Sequence, residues 1–263
     1  MPVFALWSAP RARSTAFFRS MLERGDLIAL HEPLEGLVYF GDAEVEGRRF
    51  ESPASLLAWL WEQTHGVGVF LKETTDYKVR EVVLADRRFL AEARHAFLIR
   101  RPEEIAASLY ALKPDMGIDA IGLEALHELL TAVRDAGGHS PVVIDSDDLV
   151  ARPEATMSAY CAAVGLPFIP EALTWEPGER SEWRRSARWH AAVSASSGFE
   201  QRKCRYTHTV ETSDELARFA AHQLPFYEHL YEQRLDVSQR PRGSSEAIIA
   251  AEIGARSRAA DQP

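Results

Sequence analysis

Short apolar runs alternate with segments of helical spacing along the first two thirds of the chain. Val3 to Trp7 is wholly apolar and is cut off by Ser8-Ala9-Pro10, which predicts a short buried strand. Thr15 to Leu22 resumes with Ala16, Phe17 and Met21 at helical spacing. Arg24-Gly25 stops that helix, since glycine suits the position after the last turn. Leu27–Leu30, Val67–Leu71, His95–Ile99 and Pro141–Ile144 predict four further strands. Val67–Leu71 is continuously apolar, which fits a parallel sheet covered on both faces. Helices are predicted over Pro53–Thr64, Tyr77–Ala93, Glu103–Leu112, Ile118–Ala136 and Pro153–Val164, the last closed by Gly165. Residues 41–52 read as a polar loop. The alternation predicts an α/β fold, a mainly parallel sheet of about five strands flanked by helices.

After Pro167 the pattern changes. Residues 168–210 hold few apolar runs and many arginines, tryptophans and serines. Long irregular segments of this kind often serve as functional lids. Ser213 to Leu235 predicts a helix with Ser213 as N-cap and a kink at Pro225. Residues 236–263 read as a polar, alanine-rich tail with a short helix near Glu246 to Arg256. The organisation expected is one domain over 1–235 and a tail.

Composition narrows the function. With 263 residues, 46% of them hydrophobic, the chain can bury a real core. Its net charge of −9 argues against general nucleic-acid binding. No apolar run is long enough to span a membrane, and the first residues lack the basic region of a signal peptide. The two cysteines, Cys161 and Cys204, can build neither a disulfide framework nor a thiolate metal cluster. A cytoplasmic chain without a membrane partner is the expectation, and its oligomeric state is left open. Four lysines stand against twenty-six arginines, so a lysine at the end of an apolar strand is the more informative cation.

In open α/β sheets ligands sit outside the carboxyl ends of the strands. Those ends carry Ser8 to Ser14, His31-Glu32, Lys72-Glu73, Arg100-Arg101 and Asp145-Ser146. Together they form a cation-bearing mouth suited to an anion. The first loop leads into Ser14-Thr15 at a helix start, where backbone N–H groups bind anions. It lacks the glycines and the lysine of the nucleotide triphosphatase loop GxxxxGK[ST], so a kinase reading is poor.

Three motifs carry a resemblance. Pro10-Arg11-Ala12-Arg13-Ser14-Thr15 follows the first strand, and Arg100-Arg101-Pro102 precedes a helix bearing Ser108 eight residues after Arg100. Val143 to Leu149, with Pro153 and Gly165-Leu166-Pro167, makes the third. In order and setting the chain resembles the sulfotransferases that use 3′-phosphoadenosine-5′-phosphosulfate (PAPS), over roughly residues 1 to 170. The resemblance implies their P-loop NTPase-like fold, with the donor's 5′-phosphate on Ala12, Arg13, Ser14 and Thr15. It implies Arg11 at the bridging oxygen and sulfuryl group, Arg100 and Ser108 at the 3′-phosphate, and Lys72 at the transferring sulfuryl group. No metal is required, and the sequence shows no convincing metal-ligand cluster.

The sequence departs from the family in several places. Thr74 stands where the animal-type enzymes carry their catalytic histidine. The base role therefore falls to Glu32, with His31 as runner-up, and partial burial is expected to raise the Glu32 pKa. Arg13 replaces the loop glycine, Ala16 replaces the adenine-stacking aromatic, and the late R-K-G-x-x-G element is absent. In its place stands Trp183 to His190, then Ser194 to Gly198, without assignable roles.

The reading that results is a sulfuryl transfer to a hydroxyl or amine of a small molecule. The alanine and arginine bias suggests bacterial secondary metabolism, and sulfation there can also activate a hydroxyl for departure. The competing reading is a degenerate, non-catalytic family member that binds an anionic ligand or a protein partner. A magnesium-dependent kinase is third.

Overall fold

The computed structural model describes residues 2–63, 68–201 and 205–237. Five strands form one wholly parallel sheet: β1 (Val3–Ser8), β2 (Leu27–His31), β5 (Gly68–Thr74), β6 (Arg94–Ile99) and β7 (Val142–Asp145). Their order is β2-β5-β1-β6-β7. β1 is central and buried at every position, as its continuous apolar run requires. From β1 the chain goes first to the edge strand β2 and then returns to β5, which lies between them. It then crosses to build β6 and β7 on the other side. A crevice therefore opens at the carboxyl end of β1, the place where such sheets bind ligands.

The helices follow the predicted spacing with instructive breaks. α1 (Ser14–Glu23) ends before Gly25, whose φ of 69° turns the chain toward β2. α2 (Pro33–Glu35) is one turn that leads into a π-helical turn over Gly36–Phe40. The polar stretch 41–52, expected to be a loop, contains a hairpin of β3 (Ala43–Val45) and β4 (Arg48–Phe50). Glu46 and Gly47 join them, both at positive φ, as a two-residue hairpin turn demands. α3 (Pro53–Gln63) precedes β5.

The single helix expected over 77–93 is two, α4 (Tyr77–Leu84) and α5 (Arg87–Glu92). Asp86 breaks it by capping α5, its carboxylate accepting from the Phe89 N–H at 2.9 Å. α6 (Pro102–Tyr110) follows β6. Only a 3-10 turn forms over Ile118–Ile121, because Gly122 at φ 77° separates it from α7 (Leu123–Asp135). A Cβ on Gly122 would lie 3.0 Å from Pro10 Cδ and 3.2 Å from the Thr75 carbonyl oxygen, so this glycine lets α7 close against the first loop. α8 (Ser146–Ala151) and α9 (Pro153–Val164) follow β7, and Gly165 closes α9 as predicted.

Residues 168–201 are mostly irregular, with 3-10 turns at Pro170–Leu173 and Ser181–Trp189 and a short α10 (Ala191–Ser194). α11 (Asp214–Tyr231) begins at Ser213, whose hydroxyl accepts from the Leu216 N–H, and passes through Pro225 without ending. α11 packs against α6 and α7. The short helix expected at 246–256 lies outside the described residues. Among the described residues no helix is long and apolar enough to cross a membrane.

Candidate active site

The loop after β1 is built on two left-handed residues. Arg11 has φ 60° and Arg13 φ 66°, conformations that cost a non-glycine residue about 1 kcal/mol or more. Arg13 thus occupies a backbone position suited to the glycine it replaces. Its side chain is anchored away from the loop, donating to the Ser146 carbonyl at 3.0 Å and the Asp147 carboxylate at 2.9 Å. The N–H groups of Arg13, Ser14 and Thr15 have no acceptor among the described residues. They stand at the start of a ten-residue helix, whose dipole adds partial positive charge. The result is a concave anion cradle made of backbone.

Arg11 crosses the cleft. Its Nε donates to Ser108 Oγ at 3.1 Å and its Nη1 to the Trp189 carbonyl at 2.8 Å. Arg100, at the end of β6, donates from Nη1 to the Arg11 carbonyl at 2.8 Å and from Nε to the Glu104 carboxylate at 2.7 Å. The two arginines and the buried Ser108 hydroxyl are thereby held as one cluster beside the cradle.

Glu32 and Lys72 meet one step away. His31 pairs with Lys72 across β2 and β5, and the Glu32 N–H extends that ladder by donating to the Lys72 carbonyl at 2.8 Å. Glu32 itself is left-handed, φ 51°, which turns the chain into Pro33 and α2. Among the described residues, three of the four non-glycine residues at positive φ are thus Arg11, Arg13 and Glu32, all lining one cleft. Such strain concentrates where structure is held for function. Lys72 and Thr74, two residues apart on β5, face the same way. Lys72 Nζ donates to Glu32 Oε1, and Thr74 Oγ1 donates to the same oxygen at 2.6 Å.

That geometry corrects one expectation. Burial alone would push the Glu32 carboxyl up, but the Lys72 ammonium, with His31 and the Thr74 hydroxyl, brings it well below the usual carboxylate range. Raised carboxyls do stand beside it: Glu73, pushed well up by burial and the Glu32 charge, and Glu35, overlooked in the sequence. Burial, the Glu32 charge and a hydrogen bond to Glu32 push Glu35 up to about 8. Glu73, fully buried on β5, holds α2 in place by accepting from the Leu34 N–H at 2.6 Å and the Glu35 N–H at 3.3 Å.

The irregular segment supplies a further member. His190 is buried; its Nδ1 lies 2.9 Å from Thr15 Oγ1 and its Nε2 3.0 Å from Ser186 Oγ. Its ring meets that of His31 edge to face, centroids 4.9 Å apart. Burial first, then Lys72 and His31, depress its pKa to about 3, so the ring is neutral at neutral pH. No periodicity or motif in 168–210 marks this histidine, which is why sequence reasoning left it unassigned.

These groups line one cleft of about 880 Å³. The cradle, Arg11 and Arg100 form one part of its wall. Glu32, Lys72 and Thr74 form another, beside Glu35, Tyr39 and Asp76. A cleft with a backbone anion cradle, side-chain cations and a carboxylate fixed beside a lysine is equipped to hold a polyanion and accept a proton near it.

Comparisons with known proteins agree with this reading of the fold. A branched-chain-amino-acid aminotransferase-like protein 2 of Arabidopsis thaliana is 27% identical over 208 residues, 76% of this chain and 36% of that protein. The chain therefore spans about a third of that relative's length. Among solved structures, the sulfotransferase domain of the Synechococcus PCC 7002 olefin synthase aligns at 14% identity with a TM-score of 0.55, over 84% of this chain and 94% of that one. The sulfotransferase domain from the curacin biosynthetic pathway aligns at 12% identity with a TM-score of 0.47, over 84% and 97%. The profile of the sulfotransferase domain matches residues 1–233, and with that span the chain belongs to the sulfotransferase domain family.

Proposed function

We propose that this protein transfers a sulfuryl group from PAPS to a hydroxyl or amine of a small molecule, in the setting of secondary metabolism. The observation that carries the reading is the row of N–H groups at Arg13, Ser14 and Thr15, without acceptors among the described residues, in the same cleft as the Arg11–Arg100–Ser108 cluster and the Glu32–Lys72 pair. Two anion sites and a base beside a cation match a bisphosphorylated donor with a reacting sulfuryl group between donor and acceptor. The match is to the chemistry of the donor set: backbone donors and guanidinium forks suit tetrahedral oxyanions.

In this mechanism the cradle and the Thr15 hydroxyl hold the 5′-phosphate, with Ala12 in the loop behind it. Arg100 and Ser108 hold the 3′-phosphate. Glu32 takes the acceptor's proton as the acceptor oxygen or nitrogen bonds to sulfur and the bond from sulfur to the 5′-phosphate oxygen breaks. Lys72 and Arg11 stabilise the charge on the sulfuryl oxygens and on the departing phosphate. Positioning and electrostatics supply most of the rate, as in phosphoryl transfer. A metal-free reaction is part of this proposal.

One observation favours a second reading, anion binding without turnover. Glu32 is a weak base while Lys72 holds it, and Arg100 is engaged by Glu104. Nucleotide binding without turnover, with Glu32→Ala changing nothing measurable, would favour that reading. The first experiment is calorimetric titration with 3′,5′-bisphosphoadenosine, the desulfated product. Micromolar binding that is lost in Arg100→Ala supports the donor site, and no binding by folded protein rejects it.

A further inference from the structure

The Glu32 carboxylate has a second set of neighbours that the transfer reaction does not use. His31 Nδ1 lies 3.6 Å from Glu32 Oε2, the oxygen not engaged by Lys72 and Thr74. His31 is buried, its side chain 2% exposed, and its Nε2 has no hydrogen-bond partner among the described residues. His190 reaches the same point from the irregular segment. One nitrogen of each histidine and a Glu32 oxygen lie within 4.8 Å of one another.

We propose that His31, Glu32 and His190 form a binding site for a divalent transition ion of the zinc class, and that the bound ion switches the protein off. The ligand set is two imidazoles and a carboxylate, which favours zinc, cobalt, nickel or copper over magnesium and calcium. Tetrahedral ligands about 2 Å from an ion stand roughly 3.4 Å apart, so small side-chain rotations close the present spacing.

The surroundings suit such a site. Ligating histidines need a partner on their other nitrogen, and His190 has a hydroxyl at each. Whichever nitrogen binds the ion, Thr15 or Ser186 remains to fix the ring. Lys72 and Thr74 hold Glu32 Oε1, which leaves Oε2 oriented toward His31.

Inhibition follows from shared use of one group. With Oε1 held by Lys72 and Thr74 and Oε2 bound to the ion, the carboxylate has no free oxygen to accept the acceptor's proton. The blocking step rests on Glu32 as the base of the proposed reaction, whereas the binding step does not.

Cobalt titration of the tag-free protein tests the site without any turnover. Co²⁺ should develop the intense visible absorption of a tetrahedral site, and stoichiometric Zn²⁺ should bleach it while Mg²⁺ does not. His31→Ala and His190→Ala should each weaken binding about a hundredfold or more. His190→Gln, which keeps polarity and size but ligates poorly, guards against a folding defect, with circular dichroism as the check. Absorption that survives in all three variants overturns the site. In turnover assays Zn²⁺ should inhibit, chelator should restore activity, and inhibition should vanish in His190→Gln. Failure of cobalt to bind a chain that still binds 3′,5′-bisphosphoadenosine overturns the metal site and leaves the proposed function standing. Cobalt binding without zinc inhibition overturns the switch and removes Glu32 from the role of base.

Discussion

Lys72 holds Glu32 by one carboxylate oxygen, and the Thr74 hydroxyl shares that oxygen. The arrangement follows from register: His31 pairs with Lys72, so Glu32 leaves β2 just past the lysine. A buried glutamate would ordinarily be a stronger base, and Lys72 reverses that. Basicity at Glu32 thus depends on where the ammonium is. In the proposed reaction the sulfuryl oxygens compete with Glu32 for Lys72, and engaging them releases the carboxylate to act.

Lys72→Ala should therefore have two separable effects. Turnover should fall about a hundredfold or more, as for a group that acts on transition-state charge, while product-nucleotide affinity changes little. The acid limb of the pH–rate profile should also move to higher pH, because burial then acts on Glu32 without the opposing cation. Stopped-assay kinetics and calorimetry check both. Equal losses in binding and in rate, with an unmoved acid limb, would sink the role.

Arg100→Ala should act on binding instead. Arg100 both faces the cleft and pins the carbonyl of left-handed Arg11 at 2.8 Å. Losing a charge-assisted contact of this kind costs about 1.5–3 kcal/mol, roughly ten- to a hundredfold in affinity for 3′,5′-bisphosphoadenosine. Unchanged affinity would show that the second motif was misread.

The five strands were legible because each is a short apolar run ending in a polar residue, and a parallel sheet buried on both faces leaves that mark. The placement of the first loop was legible for the same reason: Pro10 to Thr15 sits where strand passes to helix. The hairpin at 43–50 was not, because strands of three residues carry too little alternation, although Glu46-Gly47 was a turn signal. Asp86 was a visible cap inside what periodicity joined into one helix. Glu35 and His190 escaped for a different reason. Their importance comes from contacts with Glu32 and Thr15 made across the fold, and nothing local in the sequence records such contacts.

Glu35 should shape the alkaline side of activity. Its carboxyl, pushed up to about 8 by burial and the Glu32 charge, is neutral at pH 7 and ionises as pH rises through that value. A second carboxylate then stands beside Glu32 and repels a donor carrying several negative charges. Turnover should decline above about pH 8 in the wild-type protein. Glu35→Gln, which stays neutral, should hold its rate across that range. A decline that persists unchanged in Glu35→Gln would assign it to another group.

Acid stability should be governed by buried imidazoles. Trp7 Nε1, which can only donate, gives its hydrogen to His95 Nδ1 at 2.9 Å, so the His95 proton sits on Nε2 and faces the Phe89 carbonyl at 3.1 Å. Burial lowers the His95 pKa to about 4 despite that carbonyl, and burial likewise lowers His31 to about 4. Unfolded histidines titrate near 6.5, so between about 6.5 and 4 the unfolded chain binds more protons than the folded one. Stability from these groups is complete above about 6.5, declines as pH falls through the window, and changes no further below about 4. Glu35 has the opposite sign: its folded pKa is raised, so its contribution is present below about 4.5 and is lost as pH rises toward 8. Buried Glu73, also raised, acts like Glu35, but His190, lowered to about 3, joins His31 and His95, so three rings outweigh two carboxyls and thermal unfolding should show a lower midpoint at pH 5 than at pH 6.5. In the folded protein the His95 imidazole resonances should stay unprotonated down to about pH 5 in NMR titration. A His95 that titrates near 6.5, or a midpoint that rises on acidification, would refute the assignment of acid sensitivity to these rings.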